Sequence, residues 1–342
     1  MARIPRSSCW ARSWRRWRSN RGIRRREAHP TSGWSAPRHH RIINDRGPRR
    51  QATAHFGDKR KMIVDPNEFL FPAVAVPHTR FTAKHVFMMA TINGAIKSGK
   101  TSLRILEVGS WLGASTLLWS ESILRFGNEA IARNSSILAV DSWNPILSSE
   151  DMAFENYRTF VNAAKNDVAY NIFAHNATLG AKRFGVKIDW IRGRSEDVIQ
   201  DLDTASFDIA YLDAGHYYDD VLTDIALTKD LVKVGGTICG DDLNLLMDQV
   251  DLEAARAGRN RDVIQDPKTG CCYHPGVTLA VGESFPAVGS CAGFWSVRKA
   301  SDDAYLPSDL AFDGIFIPSF LSDEDARFFS DYLSAPRERP ED

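Results

Sequence analysis

Residues 94–116 read GAIKSGKTSLRILEVGSWLGAST, and two incompatible nucleotide-site patterns overlap in them. The first eight letters satisfy the phosphate-loop pattern G-x-x-x-x-G-K-[ST]. That loop works when a strand delivers the glycines and a helix starts at the Lys-Thr pair, aiming free backbone N–H groups at phosphates. Upstream, FTAKHVFMMATINGAIKSG instead spaces Val86, Met89, Ile92 and Ile96 at helical intervals. Gly99 then stands where a helix C-cap glycine belongs. Downstream, LRILEVG is a compact apolar run that meets Gly109 too soon to be a helix. Residues 94–101 therefore read as a helix end and a turn, with Lys100 solvated. A nucleotide hydrolase or kinase using Gly99, Lys100 and Thr101 would need a strand before Gly94. ILAVD and AYLD could each serve as its acidic strand, so that alternative is weakened and stays open.

The second pattern suits its context. ILEVGSWLGAST reads as a buried strand, a turn bracketed by Gly109 and Gly113, and a helix. The dinucleotide fingerprint G-x-G-x-x-G is absent, because Trp111 stands where a glycine would let a pyrophosphate approach. A ligand without phosphates is easier to accept. The strand–helix alternation continues through SSILAVDSW, VKIDWIRG, FDIAYLDAG and GGTICGDDL, with AGFWSVRKA as a late strand. SEDMAFENYRTFVNAAKND reads as helical with Ser149 as its cap. YYDDVLTDIALTKDLV is a helix, and SDEDARFFSDYL is a terminal helix with Ser322 and Asp325 in capping-box positions. Residues 243–292, rich in Gly, Pro and Cys, read as irregular. The fold class is α/β: a doubly wound, mostly parallel sheet. Such sheets bind ligands outside the carboxyl ends of their strands.

Composition supports a globular chain with one sizeable core: 342 residues, 43% hydrophobic and 25% charged. No apolar run reaches the ~18 residues of a membrane span. The five cysteines (Cys9, Cys239, Cys271, Cys272, Cys291) form no disulfide framework and no C-x-x-C pair, which fits a reducing compartment and a cytoplasmic setting. The net charge of zero hides an asymmetry. Residues 1–61 hold sixteen Arg and two Lys against Glu27, Asp45 and Asp58, with four Trp among them and few aliphatic residues. Such an arm should be disordered. It reads as a targeting peptide, as a nucleic-acid or membrane arm, or as upstream sequence before a true start at Met62. The organisation is thus an arm at 1–61, a domain at 62–300 with an acceptor-binding insert at 243–292, and a helical extension with a loose tail at 301–342.

Together, ILEVGSWLGAST, ILAVDSW, WIRGRSEDVI, FDIAYLDAGHYYDDV and LVKVGGTICGDDL resemble the class I S-adenosylmethionine-dependent methyltransferases over about residues 80–300. The nearest resemblance is to bacterial small-molecule O-methyltransferases that modify sugars on macrolides and aminocoumarins. It implies a Rossmann-like fold and S-adenosylmethionine as methyl donor. It implies that Glu107, Gly109 and Gly113 line the methionine side, with Ser110 and Trp111 in the same turn. Asp141 would take the ribose, Ser195 and Glu196 would lie near the adenine, and Asp213 would also face the cofactor. A solvated turn aspartate or a helix cap is the plain alternative for Asp141.

Asp213 and Asp241 end consecutive strands whose neighbours lie about 5 Å apart, and Asp242 follows at once. Three converging carboxylates have raised pKa values unless a cation sits among them, and an oxygen-only set suits Mg²⁺, Mn²⁺ or Ca²⁺. The resemblance implies a divalent ion, Mg²⁺ first, on Asp213, Asp241 and Asp242. Adjacent strand residues point to opposite faces, so Asp241 and Asp242 can share an ion only if the chain turns there. His216, three residues past Asp213, is the candidate base beside Asp213. DAGH departs from the aminocoumarin pattern by placing Gly215 where a second acid is expected. His274 in CCYHPGV is either an acceptor contact or a loop histidine. HTRFTAKH suggests a lid. The expected partner is a hydroxylated small molecule, with nucleic acid not expected unless the arm is native, and a homodimer possible. The remaining alternative is a non-catalytic cofactor-binding module tethered by the arm.

Overall fold

The computed structural model of this chain describes residues 66–71, 83–145, 147–153 and 155–334. The basic arm, Met62, most of the proposed lid and the tail beyond 334 lie outside the described residues. The helices are α1 (Ala83–Lys97), α2 (Ala114–Phe126), α3 (Glu129–Arg133), α4 (Glu155–Ala164), α5 (Val168–Phe184), α6 (Ser195–Val198), α7 (Tyr218–Leu231), α8 (Leu252–Ala257), α9 (Pro275–Ser284) and α10 (Asp323–Ser334). The strands of the main sheet are β1 (Arg104–Val108), β2 (Ser136–Asp141), β3 (Lys187–Arg192), β4 (Phe207–Leu212), β5 (Val232–Leu243), then β8 (Gly289–Cys291), β9 (Gly293–Ser301) and β10 (Ala304–Pro307). A separate hairpin pairs β6 (Ile264–Gln265) with β7 (Cys272–Tyr273).

The sheet runs β10-β9-β5-β4-β1-β2-β3. β1 to β5 are parallel, whereas β9 is antiparallel to both β5 and β10. Chain order reverses between β1 and β4, which opens a crevice over their carboxyl ends. Successive strand residues feed opposite faces. Ile105, Ile209 and Cys239 join Met88, Met89, Leu117 and Trp119 of α1 and α2. Leu106, Ala210 and Ile238 join Ile225, Val277 and Val281 of α7 and α9. Both faces are therefore covered, as the unbroken apolar strands require.

Three local readings need correction. The 243–292 segment is built, not irregular: α8 and α9 flank the β6–β7 hairpin. α9 is buried along Val277–Val281, so no polar face marks its period, and two glycines mask its propensity. Asp251 caps α8 by accepting from the Glu253 and Ala254 amides. Second, Ser148 rather than Ser149 accepts the Asp151 amide, at 3.0 Å. Third, Lys100 is not simply solvated. It pairs with Asp208 at 2.8 Å, and Asp208 also accepts the Arg104 amide. Residues 94–97 end α1 and Gly99 turns the chain at φ +93°. Asp208 begins β4, so this pair sits at the end of the sheet opposite the crevice, and the phosphate-loop alternative fails.

Residues past β10 pack back on α1 and α2. Asn93 donates to the Ala311 and Asp313 carbonyls, Ala311 N–H donates to Ala90, and Ser319 N–H donates to Glu121. The expected Ser322–Asp325 capping pair is present.

Candidate active site

A cavity of about 560 Å³ runs along the carboxyl ends of the parallel strands. One end is a turn built by glycine. β1 delivers Val108, Gly109 turns at φ +87°, and Gly113 at φ +89° starts α2. A Cβ on Gly109 would lie 2.1 Å from the Asp213 carbonyl, so only glycine lets β1 and β4 leave the sheet this close together. Asp141 closes β2 and pins this turn. Its Oδ2 accepts the Ser110 and Trp111 amides at 2.9 and 2.8 Å, and its Oδ1 accepts the Trp143 amide at 2.6 Å. Burial raises the Asp141 pKa despite these three donors.

Gly109, Ser110, Trp111 and Asp141 lie on the cavity wall, as do Ser195, Glu196 and Asp213. Glu107 and Gly113 do not. Glu107 is fully buried and accepts the hydroxyls of Ser110 and Thr116, so it buttresses the turn from behind. Burial pushes its carboxyl up to about 7. Gly113 faces the Phe173 ring of α5. Beyond β3, Arg194 pairs with Glu196 at 2.7 Å beside a residue the sequence did not single out, Asp224 of α7. Asp224 is buried against the cavity, and burial raises its pKa to about 7.

The other end of the cavity is a charged pole. Asp213 follows β4, and Tyr211 donates its hydroxyl to it at 2.9 Å. Lys84, in the first turn of α1, bonds Asp241 and lies 3.8 Å from Asp213. The cation among the carboxylates is thus the chain's own ammonium. Burial raises Asp213 and Asp241 even so. The turn anticipated at Asp242 is real: its φ is +63°, with a register shift against β9 between Gly240 and Leu243. That turn sets the Asp242 carboxylate against His216, 3.0 Å from Nε2, and toward His274 at 3.7 Å. Burial would raise Asp242, but the His216 imidazole beside it prevails and holds it low. Asp262, from the insert, takes His216 Nδ1 at 2.5 Å and accepts the Tyr157 hydroxyl. Both His216 nitrogens therefore face carboxylates.

Residues 106–243, from β1 to the end of β5, match the family model described as a methyltransferase domain. That stretch is similar to a methyltransferase domain, and the strand order around it is Rossmann-like. No curated protein matches the sequence. Among solved structures, the domain is similar to the O-methyltransferase NovP (13% identity, 63% of this chain and 78% of that one, TM-score 0.40). It is also similar to an O-methyltransferase from Bacillus cereus in complex with SAH (14%, 66% and 86%, TM-score 0.37). A third is apo CalS11, a TDP-rhamnose 3'-O-methyltransferase (11%, 63% and 79%, TM-score 0.36). None of the three carries weight for function at these values.

For this cavity, the sequence identified the strand ends but missed Lys84, Asp224 and Asp262. No local pattern marks them. Lys84 lies 129 positions before Asp213 in a helix whose other residues read as core, and Asp262 sits in a loop without a motif. No described helix is long and apolar enough to cross a membrane.

Proposed function

We propose that this chain transfers the methyl group of S-adenosylmethionine to a hydroxyl oxygen of a small molecule, a sugar or natural-product glycoside being the favoured class. One observation carries the reading: a single cavity joins the Asp141-pinned glycine turn to the charged pole at Asp213. The turn end offers backbone and a carboxylate to a ribose and no lysine cradle for phosphates, which suits a phosphate-free nucleoside. Ser195 and Glu196 are assigned to the adenine end. Trp111 and Phe160, 5.2 Å apart, give the turn end an apolar wall.

When bound, the sulfonium supplies an electrophilic methyl group. An acceptor oxygen would take that methyl group as the S–CH₃ bond breaks, leaving a neutral thioether. The hydroxyl proton would go to Asp213, a half-buried carboxylate whose desolvation raises its proton affinity. His216 was the sequence candidate for that step and is assigned a fixed place beside Asp242 and Asp262 instead. Asp213, Asp241 and Asp242 offer oxygens close enough for one divalent ion. Lys84 already neutralises the first two, so as arranged the trio does not fit Mg²⁺, and no step is derived through it.

Calorimetric titration with S-adenosylhomocysteine tests the cofactor. Micromolar binding that Asp141→Ala weakens and Lys100→Ala leaves alone is expected. ATP–Mg²⁺ binding abolished by Lys100→Ala would sink the reading. Methyl transfer from labelled S-adenosylmethionine to a panel of hydroxylated glycosides, lost in Asp213→Asn, tests the reaction.

A further inference from the structure

The charged pole contains a second constellation with a different chemistry from the acid trio. His216 comes from the turn after β4, and His274 is the residue before α9. They meet because Gly276 packs against the backbone of residues 216–218: a Cβ there would fall 2.2 Å from the His216 carbonyl. The two rings stand 4.4 Å apart at 67°. Their Nε2 atoms converge on the two oxygens of Asp242, at 3.0 and 3.7 Å. One ligand atom from each of the three residues lies within 4.8 Å of the others. Behind them, both Nδ1 atoms face the same oxygen of Asp262, at 2.5 and 3.5 Å.

We infer that His216, His274 and Asp242 form a binding site for a transition-metal dication, with Asp262 orienting both imidazoles. Nitrogen and oxygen ligands bind Zn²⁺ at about 2.0–2.2 Å, which puts them roughly 3–3.4 Å from one another. The two observed separations bracket that range. Metal-bound histidines characteristically give their other nitrogen to a carboxylate, which fixes the tautomer and aims the lone pair, and Asp262 stands in that position. Two imidazoles and one carboxylate suit Zn²⁺, Fe²⁺, Co²⁺ or Mn²⁺ and disfavour Mg²⁺. Asp242 is assigned to this set because its carboxylate lies against both imidazoles, while Lys84 pairs with Asp241 and Asp213. His216, His274, Asp242 and Asp262 all line the main cavity, so the open positions of the ion face the space assigned to the acceptor. Only that last consequence, that the ion meets acceptor oxygens, rests on the proposed methyl transfer.

The test is a titration of the chelator-dialysed full chain with Co²⁺, read by visible absorption and calorimetry, with Mg²⁺ in parallel. One Co²⁺ per chain at micromolar affinity is expected, with Mg²⁺ at least 100-fold weaker. His274→Ala should weaken Co²⁺ binding at least 100-fold, Asp262→Asn about 10- to 100-fold, and Asp241→Asn less than 3-fold. Spin-echo modulation from two imidazole nitrogens on bound Cu²⁺ reads the ligand set in the unaltered chain, should a variant fail to fold. Absence of saturable Co²⁺ binding overturns the site. So does binding lost in Asp241→Asn and kept in His274→Ala, which would put the ion in the acid trio. S-adenosylhomocysteine binding is scored separately: its failure would remove the methyl-transfer reading and leave the metal result standing.

Discussion

The two ends of the cavity are built in opposite ways. The turn end is local: Gly109, Ser110, Trp111 and Asp141 lie within 33 consecutive positions and act largely through backbone N–H groups. The charged pole is assembled from α1, two strand ends, a loop and the residue before α9, and acts through side chains. Backbone donors are fixed by the chain path. A pole of facing side chains holds only while every charge keeps its partner, so the two ends should fail differently.

Gly109→Ala should do the most damage, since it touches both ends at once. The added carbon meets the Asp213 backbone, and the positive φ is itself unfavourable. A loss of roughly 3 kcal/mol or more in denaturant unfolding, with no detectable S-adenosylhomocysteine binding, is expected. Wild-type stability would refute the interlock. Lys84→Met attacks the pole alone. It strands the buried Asp241 and the half-buried Asp213, at a cost of about 3 kcal/mol near pH 8. Because protonation relieves them, the loss should shrink at pH 5; a loss equal at both pH values would mean that packing, not charge, is Lys84's role.

Asp141→Ala attacks the turn alone. Three amides lose their acceptor, for about 1–3 kcal/mol, and cofactor affinity should fall at least tenfold while the pole's metal binding is untouched. Glu107→Gln is subtler. With its carboxyl near 7 in the folded chain against 4.5 ordinarily, the folded state holds an extra proton between those values. Stability is therefore fully present below about pH 4.5 and falls as pH rises toward 7, by at most about 3 kcal/mol. Unfolding of the ligand-free chain across pH 4.5–7.5 should show the Gln variant lacking that part of the slope. Lys100→Ala should matter least, under about 1 kcal/mol, because Lys233 still reaches Asp208 at 3.1 Å.

The same contrast explains what the sequence made legible. The parallel strands are short apolar runs ending in Glu, Asp or Gly, so the sheet and the Asp141, Asp213 and Asp241 positions could be read directly. Glu107 was legible as a residue but not as a direction: nothing in LEVGS says that its carboxylate turns inward to Thr116. α9 was invisible because a helix buried on all sides has no polar stripe. Lys84 and Asp262 were invisible because a partner in space leaves no spacing in sequence. His216 was found, yet its two carboxylate neighbours come from Asp242's turn and from the insert, and only coordinates join them.

The segment from Asp309 to Ser319 gives the pole a mechanical dependency. It is bonded to Ala90 and Asn93 of the helix whose first turn presents Lys84. A chain cut after Ser301 would retain every parallel strand and the whole glycine turn. It would release the far end of α1, and with it the anchorage of the ammonium that Asp241 and Asp213 depend on. Residues 309–319 thus steady the helix that delivers the cavity's ammonium.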